Sequence, residues 1–278
     1  MKINVILVSY NQQQYIRQAI ESILMQKFDG EVEVIVADDS SKDSTFEIIR
    51  EYESKSPFRF VYMPRETNVG MRMNYKRAFA ACDGDYIAIL EGDDWWNSEN
   101  HLQQHVDFLK GHRRCSMSFN RIEVFDEKND EFSLMPFSYP KNHVDYSMKE
   151  LITQGDKIVN LSCCVYRSEP IKKLPDKFFE LNFADWDLGI WMAQFGRVSY
   201  LEQSTSVYRV NNKGQWTSMN GESKKETVMN TLDDMDAFFE FKYKRWFDKG
   251  RYMVENDIEP LPYMTWKTKI KRLLHIVK

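Results

Sequence analysis

The chain has 278 residues, 42% of them hydrophobic, enough to bury the core of one α/β domain with appended elements. Its formal charge of −4 and pI near 5.8 exclude a surface-wide attraction to nucleic acid, which needs an excess of Lys and Arg to displace counterions. Cys82, Cys115, Cys163 and Cys164 lack CxxC spacing and no apolar run reaches the roughly 18 residues of a membrane span, so a reduced, cytoplasmic setting is expected.

The opening MKINVILVSYN carries one Lys and an apolar run too short for a signal segment, and reads as a first strand over residues 5–8. Ile16, Ala19, Ile20, Ile23 and Leu24 then follow at helical spacing. Residues 32–37 read as a second strand that ends at Asp38 and Asp39, and Ser44 with Glu47 predicts a capping box on a helix to about Tyr52. Strand 58–63, helix 71–82 and strand 86–90 continue the alternation, the last running into Glu91, Asp93 and Asp94. This pattern predicts an α/β fold, a Rossmann-like, mostly parallel sheet flanked by helices. Ligands of such sheets collect beyond the carboxyl ends of the strands, where Tyr10, Asn11, Asp38, Asp39, Glu91, Asp93 and Asp94 all fall.

After a helix over residues 99–110, the loosely alternating 116–125 and the apolar 158–166 make a mixed sheet the expectation for the second half. Residues 185–195 read as a helix, 198–210 as extended chain and 224–247 as one final helix, before Pro260, Pro262 and a basic amphipathic tail. His101 and His105, at i and i+4, lack the Glu of HExxH and read as a helix face. GxSxG, P-loop and GxGxxG patterns are absent.

Glu91, Asp93 and Asp94 place carboxylates side by side at the end of an apolar strand, where repulsion and desolvation are costly unless a cation neutralises them. Mg²⁺ or Mn²⁺ suits such hard oxygen donors, since phosphate oxygens and water complete the shell. Acidic residues in a solvated turn are the simpler alternative.

Five stretches in order, VSYN (8–11), ADDSSKDS (37–44), NVGMRMNYKRAF (68–79), CDGDYIAILEGDDWW (82–96) and FADWDLGIWMAQFG (183–196), resemble family 2 glycosyltransferases of the GT-A fold across roughly residues 3 to 210. The resemblance implies inverting transfer of a sugar from a nucleotide-diphosphate donor, a UDP-sugar being favoured, with Mn²⁺ or Mg²⁺. The implied acceptor is a hydroxyl of a glycan or lipid-linked molecule in surface polysaccharide synthesis. It implies that Asp39 accepts a hydrogen bond from the base and that Tyr10 stacks on it. Asp93 and Asp94 would meet metal and ribose with Glu91 in support, and Asn74 would belong to the same donor site. Arg72 and Lys76 are candidates for phosphate. Asp185 is the implied catalytic base, with Asp187 in reserve.

The chain departs from the family pattern at three places. Glu91 stands where Asp is commoner, Ala184 replaces the usual Glu of an acidic pair, and Asn211 follows Tyr208, Arg209 and Val210 where many members have His. Lys213, Gly214 and Gln215 suggest a lid, and Trp216 or Lys213 could close the site in place of that His. Arg113, Arg114, the stretch 132–146 and the final helix are candidate acceptor surfaces. Residues 1–220 form the expected catalytic domain and 221–278 a C-terminal helical extension. Its tail sets Lys267, Lys269, Lys271, Arg272 and Lys278 among Ile270, Leu273, Leu274, Ile276 and Val277, which suits an anionic membrane, the protein's own domain or a second subunit. A sugar nucleotidyltransferase, which should show a Gly-rich N-terminal loop, and a catalytically silent nucleotide-sugar-binding protein are the competing readings.

Overall fold

The computed structural model describes residues 1–135, 144–155, 158, 160–181, 185–211, 219–256 and 258. Strand β1 (Lys2–Ser9) lies between the parallel strands β2 (Glu31–Asp38) and β4 (Tyr86–Glu91), and β3 (Arg59–Tyr62) extends the sheet beyond β2. These strands are apolar on both faces because helices cover both, and the period of two divides their side chains. Ile3, Val5 and Leu7 share one core with α1 (Ile16–Leu24), α2 (Thr45–Glu53) and α4 (His101–Gly111). Ile6, Ile35, Ile87 and Ile89 point the other way, onto Tyr75, Ala78 and Phe79 of α3 (Met71–Ala81).

The second half is mixed, as expected. Strand β9 (Cys164–Arg167) runs antiparallel between β4 and β6 (Cys115–Asp126), and β6 pairs in parallel with the long β10 (Arg197–Val210). Short strands β5 (Trp95–Trp96) and β8 (Val144–Tyr146) border β10, while β7 (Glu131–Met135) pairs with β6. Helices α5 (Met148–Thr153), α7 (Asp185–Met192), α8 (Gly221–Phe238) and α9 (Lys244–Glu255) contribute Leu151, Trp186, Leu232 and Phe247 to the core that α3 covers, and the short α6 (Ser168–Ile171) adds Ile171. The four cysteines are free and buried, and among the described residues no helix is long and apolar enough to cross a membrane.

Two local expectations fail. Ser44 makes no capping bond, because Asp43 takes that place: its Oδ1 accepts the Thr45 N–H at 3.0 Å and its Oδ2 the Gln13 N–H at 3.1 Å. The single helix over 224–247 is broken at Glu240 and Phe241, whose φ values of 54° and 59° are left-handed. The turn brings Phe247 and Gly250 against α8 and α5, a return that a straight helix could not make. The true capping box sits on α5, where Ser147 and Glu150 exchange bonds.

Candidate active site

The tips of β1 and β2 are locked together. Asp38 accepts from the Ser9 hydroxyl at 3.1 Å, the Ser41 N–H at 3.0 Å and Arg65 Nε at 3.2 Å, so it is an internal brace. Asn11 and Ser40 adopt left-handed φ of 53° and 62°, and the Asn11 side chain accepts the Lys42 N–H at 2.8 Å. Tyr10 is left 48% exposed at the mouth, outside the core. Asp39, 4% exposed, accepts the N–H groups of Val69 and Gly70, each at 2.9 Å, and Arg77 Nη2 at 3.4 Å.

Asn74 does not open onto this mouth. Its Nδ2 donates to Ala37 O at 2.6 Å and its Oδ1 accepts from Arg77 Nε at 2.9 Å, so it fixes the end of β2. Arg72 donates to the carbonyls of Glu180 and Leu181, at 2.8 and 3.0 Å, and Lys76 pairs with Asp176 at 2.9 Å. Both cations tie α3 to the 3-10 turn Asp176–Glu180 that leads toward α7.

Beyond β4 the chain turns at Gly92, where an added Cβ would lie 3.1 Å from Val8 O, and the Gly92 N–H bonds to that carbonyl at 2.8 Å. Asp94, 2% exposed, accepts the Arg209 N–H at 2.9 Å, Asn160 Nδ2 at 2.9 Å and the Ser162 hydroxyl at 2.7 Å. Glu91 is held more loosely, by the Tyr75 hydroxyl at 3.2 Å and Asn160 Nδ2 at 3.4 Å. Asp93 meets Asn211 Nδ2 at 3.3 Å, so the residue in the place of the family's His touches the acidic turn. The Arg209 guanidinium lies 4.8 Å from the Tyr15 ring centroid and 4.6 Å from that of Trp95, and donates through Nε to Asp93 O at 2.9 Å.

The electrostatics follow from crowding. Burial, aided by the charge of Asp93, pushes the Asp94 carboxyl up to about 7. Burial likewise raises Asp93, against the bond from Asn211 and the charge of Arg209. Glu91 is driven well above the usual range by burial and then by repulsion from Asp94, Asp93 and Asp185. Asp185 thus lies near enough to Glu91 for its charge to be felt there. Burial pushes its own carboxyl up to about 6, against the Trp186 N–H, which donates to Oδ1 at 2.8 Å. Asp185 is half-buried at the start of α7, whereas Asp187 is only 2% exposed.

Sequence reading missed Asn160, Ser162 and Tyr75. The available signal was a pair of polar residues, Asn160 and Ser162, inside the apolar run 158–166. His101 and His105 face inward, His101 stacking on Trp96 at 4.4 Å and His105 bonding Ser118 at 2.8 Å. Arg113 and Arg114 precede β6 and so lie at the end of the sheet opposite the acids. Ala184, Lys213, Gly214, Gln215, Trp216, residues 136–143, Pro260, Pro262 and the tail 266–278 lie outside the described residues. Among the described residues no three Cys, His, Asp or Glu side chains are arranged to hold a metal by themselves.

A mostly parallel sheet with an antiparallel insertion and an acidic crevice at its carboxyl ends defines a GT-A-type fold. The model of glycosyl transferase family 2 matches residues 4–174, and the chain belongs to that family. It is 33% identical over 219 residues to the uncharacterized protein Rv1520 of Mycobacterium tuberculosis, a match covering 77% of this chain and 60% of that one. The chain thus spans about 60% of that relative's length. The uncharacterized glycosyltransferase MJ1057 of Methanocaldococcus jannaschii is 27% identical over 223 residues, 78% of this chain and 73% of its own. S. aureus TarS 1–349 in complex with UDP-GlcNAc superposes with a TM-score of 0.60 at 20% identity, covering 84% of this chain and 66% of that one. The mannosyltransferase PcManGT from Pyrobaculum calidifontis, in complex with GDP-Man and Mn²⁺, gives 0.63 at 15% identity, covering 90% and 69%. These likenesses establish the GT-A fold expected from the sequence.

Proposed function

We propose that this protein is an inverting, cation-assisted glycosyltransferase that moves a sugar from a nucleoside diphosphate, UDP being favoured, to a hydroxyl of a glycan or lipid-linked acceptor of surface polysaccharide synthesis. The observation that carries the reading is the closeness of Asp185 to Glu91, beside Asp93 and Asp94: burial raises all four carboxyls, and repulsion adds to it at Glu91 and Asp94. Such a set is poorly suited to a merely structural turn and well suited to a charged ligand.

In this reading Tyr10 stacks on the base. Asp39 keeps acceptor capacity for a base N–H, since a carboxylate has about four lone-pair sites and Val69, Gly70 and Arg77 use part of them. The acidic turn fits a divalent cation, because its raised carboxyls carry charge that the fold leaves uncompensated. Asp93 and Asp94 would hold it with Glu91 in support, and Asp93 is less committed to internal bonds than Asp94. When bound, the ion would offset charge on the diphosphate.

Asp185 takes the acceptor hydroxyl proton while that oxygen bonds to the anomeric carbon. The bond from that carbon to the diphosphate oxygen breaks with its electron pair on the leaving group, which inverts the centre. A base titrating near 6 is ionised at neutral pH yet basic enough to assist. Residues 1–220 would then be the catalytic unit and 221–278 its extension. The basic tail would lie on an anionic inner-membrane surface.

The test is nucleoside diphosphate release from a panel of UDP-, GDP- and dTDP-sugars with Mn²⁺ or EDTA. Cation-dependent release from one donor, reduced in Asp185→Asn with donor binding retained, supports the reading. No turnover and no donor binding would favour a silent relative of the fold.

A further inference from the structure

Strand β9 pairs antiparallel with β4, setting Tyr86 against Arg167, Ile87 against Tyr166 and Ala88 against Val165. Continued three steps, that register brings Ser162 opposite Glu91, and two steps more bring Asn160 opposite Asp93. The 3-10 turn Leu161–Cys163 interrupts the ladder there, and side chains make the bonds that a strand would have made with its backbone. The buried Ser162 hydroxyl accepts the Glu91 N–H at 3.1 Å and donates to Asp94 Oδ2 at 2.7 Å. The buried Asn160 amide donates through Nδ2 to Asp94 Oδ2 at 2.9 Å and to Glu91 Oε2 at 3.4 Å. Its Oδ1 accepts the Ser162 N–H at 2.5 Å, which closes the turn. Behind the turn, Ser162 O accepts from Trp96 Nε1 at 2.9 Å, and Trp96 stacks on His101, so the loop is anchored in the core.

These donors share a chemical property. Tyr75, Asn160, Ser162 and Asn211, which hydrogen-bond Glu91, Asp93 or Asp94, are all neutral. Arg209 bonds Asp93 at its carbonyl through Nε, and Asp94 through its own backbone N–H. For stability alone a cationic side chain at position 160 would serve better, because it would offset the mutual repulsion of the acids. A neutral donor instead orients a carboxylate without cancelling its charge, which is what a ligand to a metal ion needs from its surroundings.

We propose that Asn160 and Ser162 are positioning residues of the cation site: the loop before β9 presets Glu91 and Asp94 with neutral donors and keeps their charge for the ion. The inference rests on the cation-assisted transferase reading and assigns these two residues to it. One amide bridges two acids that repel each other, and one hydroxyl ties the backbone at the start of the acidic turn to the carboxylate at its end.

The experiment is titration of the full chain with Mn²⁺ alone, followed by electron paramagnetic resonance, which reads the ion rather than turnover. Ser162→Ala should weaken Mn²⁺ binding by about 10- to 100-fold, and Ser162→Thr, which keeps the hydroxyl, should restore it. Asn160→Lys should lose Mn²⁺ binding yet melt no lower than the native chain, a pair of effects that a merely structural bond would not give. Melting temperatures show which variants fold, and Asn160→Lys decides if Ser162→Ala does not. Folded variants that take up Mn²⁺ as the native chain does overturn the proposal. If Ser162→Ala and Asn160→Lys both fail to fold, the bonds are structural and the proposal also falls. A native chain that takes up no Mn²⁺ is a separate result: it removes the cation from the proposed function itself, and the positioning role with it.

Discussion

Asp185 and Asp187 are two positions apart on one helix, yet only Asp185 is partly exposed, and burial raises its carboxyl to about 6. Asp185→Asn should lower turnover by about 10²- to 10⁴-fold while leaving donor affinity nearly unchanged, as single-turnover kinetics would reveal. A base must be ionised to work, so native activity should fall as pH drops through about 6 and level off above it. Tyr10→Ala should cost ~1–3 kcal/mol of donor binding, read by titration with the free nucleotide, and Tyr10→Phe should restore it. Asp39, Asp93 and Asp94 drew notice as carboxylates at strand ends, and Asp185, at the start of α7, only through the likeness of FADWDLGIWMAQFG to the family. Asn160 and Ser162 drew none, because no spacing rule marks two polar residues in an apolar run as partners of acids some 70 positions away. Asn74 misled for the opposite reason: its helix phase, shared with Tyr75 and Ala78, turns it inward.

Among the elements, the turn after β4 shows how a strand end stores unfavourable charge. Asp94 binds its proton more tightly folded, near 7, than the roughly 3.9 of an unfolded chain. Its ionisation therefore costs stability as pH rises from about 4 through about 7. The uncharged Asp94→Asn should gain stability relative to the native chain across that window, as urea denaturation at several pH values would measure. A growing deficit for the variant would mean that the bonds from Arg209, Asn160 and Ser162 outweigh the charge. The parallel half of the sheet was readable because strands buried on both faces leave unbroken apolar runs. The break between α8 and α9 was not, since Phe239, Tyr243 and Phe247 keep helical spacing straight through a turn that only tertiary packing imposes.

Across the whole molecule, the C-terminal helices share the main core. Leu232, Met235, Phe238 and Phe247 belong to the same cluster as Ile89 and Trp186. At about 1.5–3 kcal/mol for each buried side chain, removing them gives up on the order of 6–12 kcal/mol, comparable with the ~5–15 kcal/mol stability of a whole domain. A chain ending at residue 220 should therefore lose its cooperative thermal transition, even though the family match ends at residue 174. A chain ending near residue 260 should keep that transition but float less with anionic liposomes than the full chain; equal flotation would remove the membrane role proposed for the tail. Strand β9 has one further consequence. Because it runs against its neighbours, the loop before it, rather than the one after, arrives at the acids. Residues inserted after Arg167 would emerge at the far edge and leave the crevice alone, whereas one residue added just ahead of Cys164 would slide Asn160 and Ser162 out of step with Glu91 and Asp94. The crevice is thus sensitive to chain length on one side of a four-residue strand, while on the other an insertion would strain α6 and its buried Ser168, Pro170 and Ile171 instead.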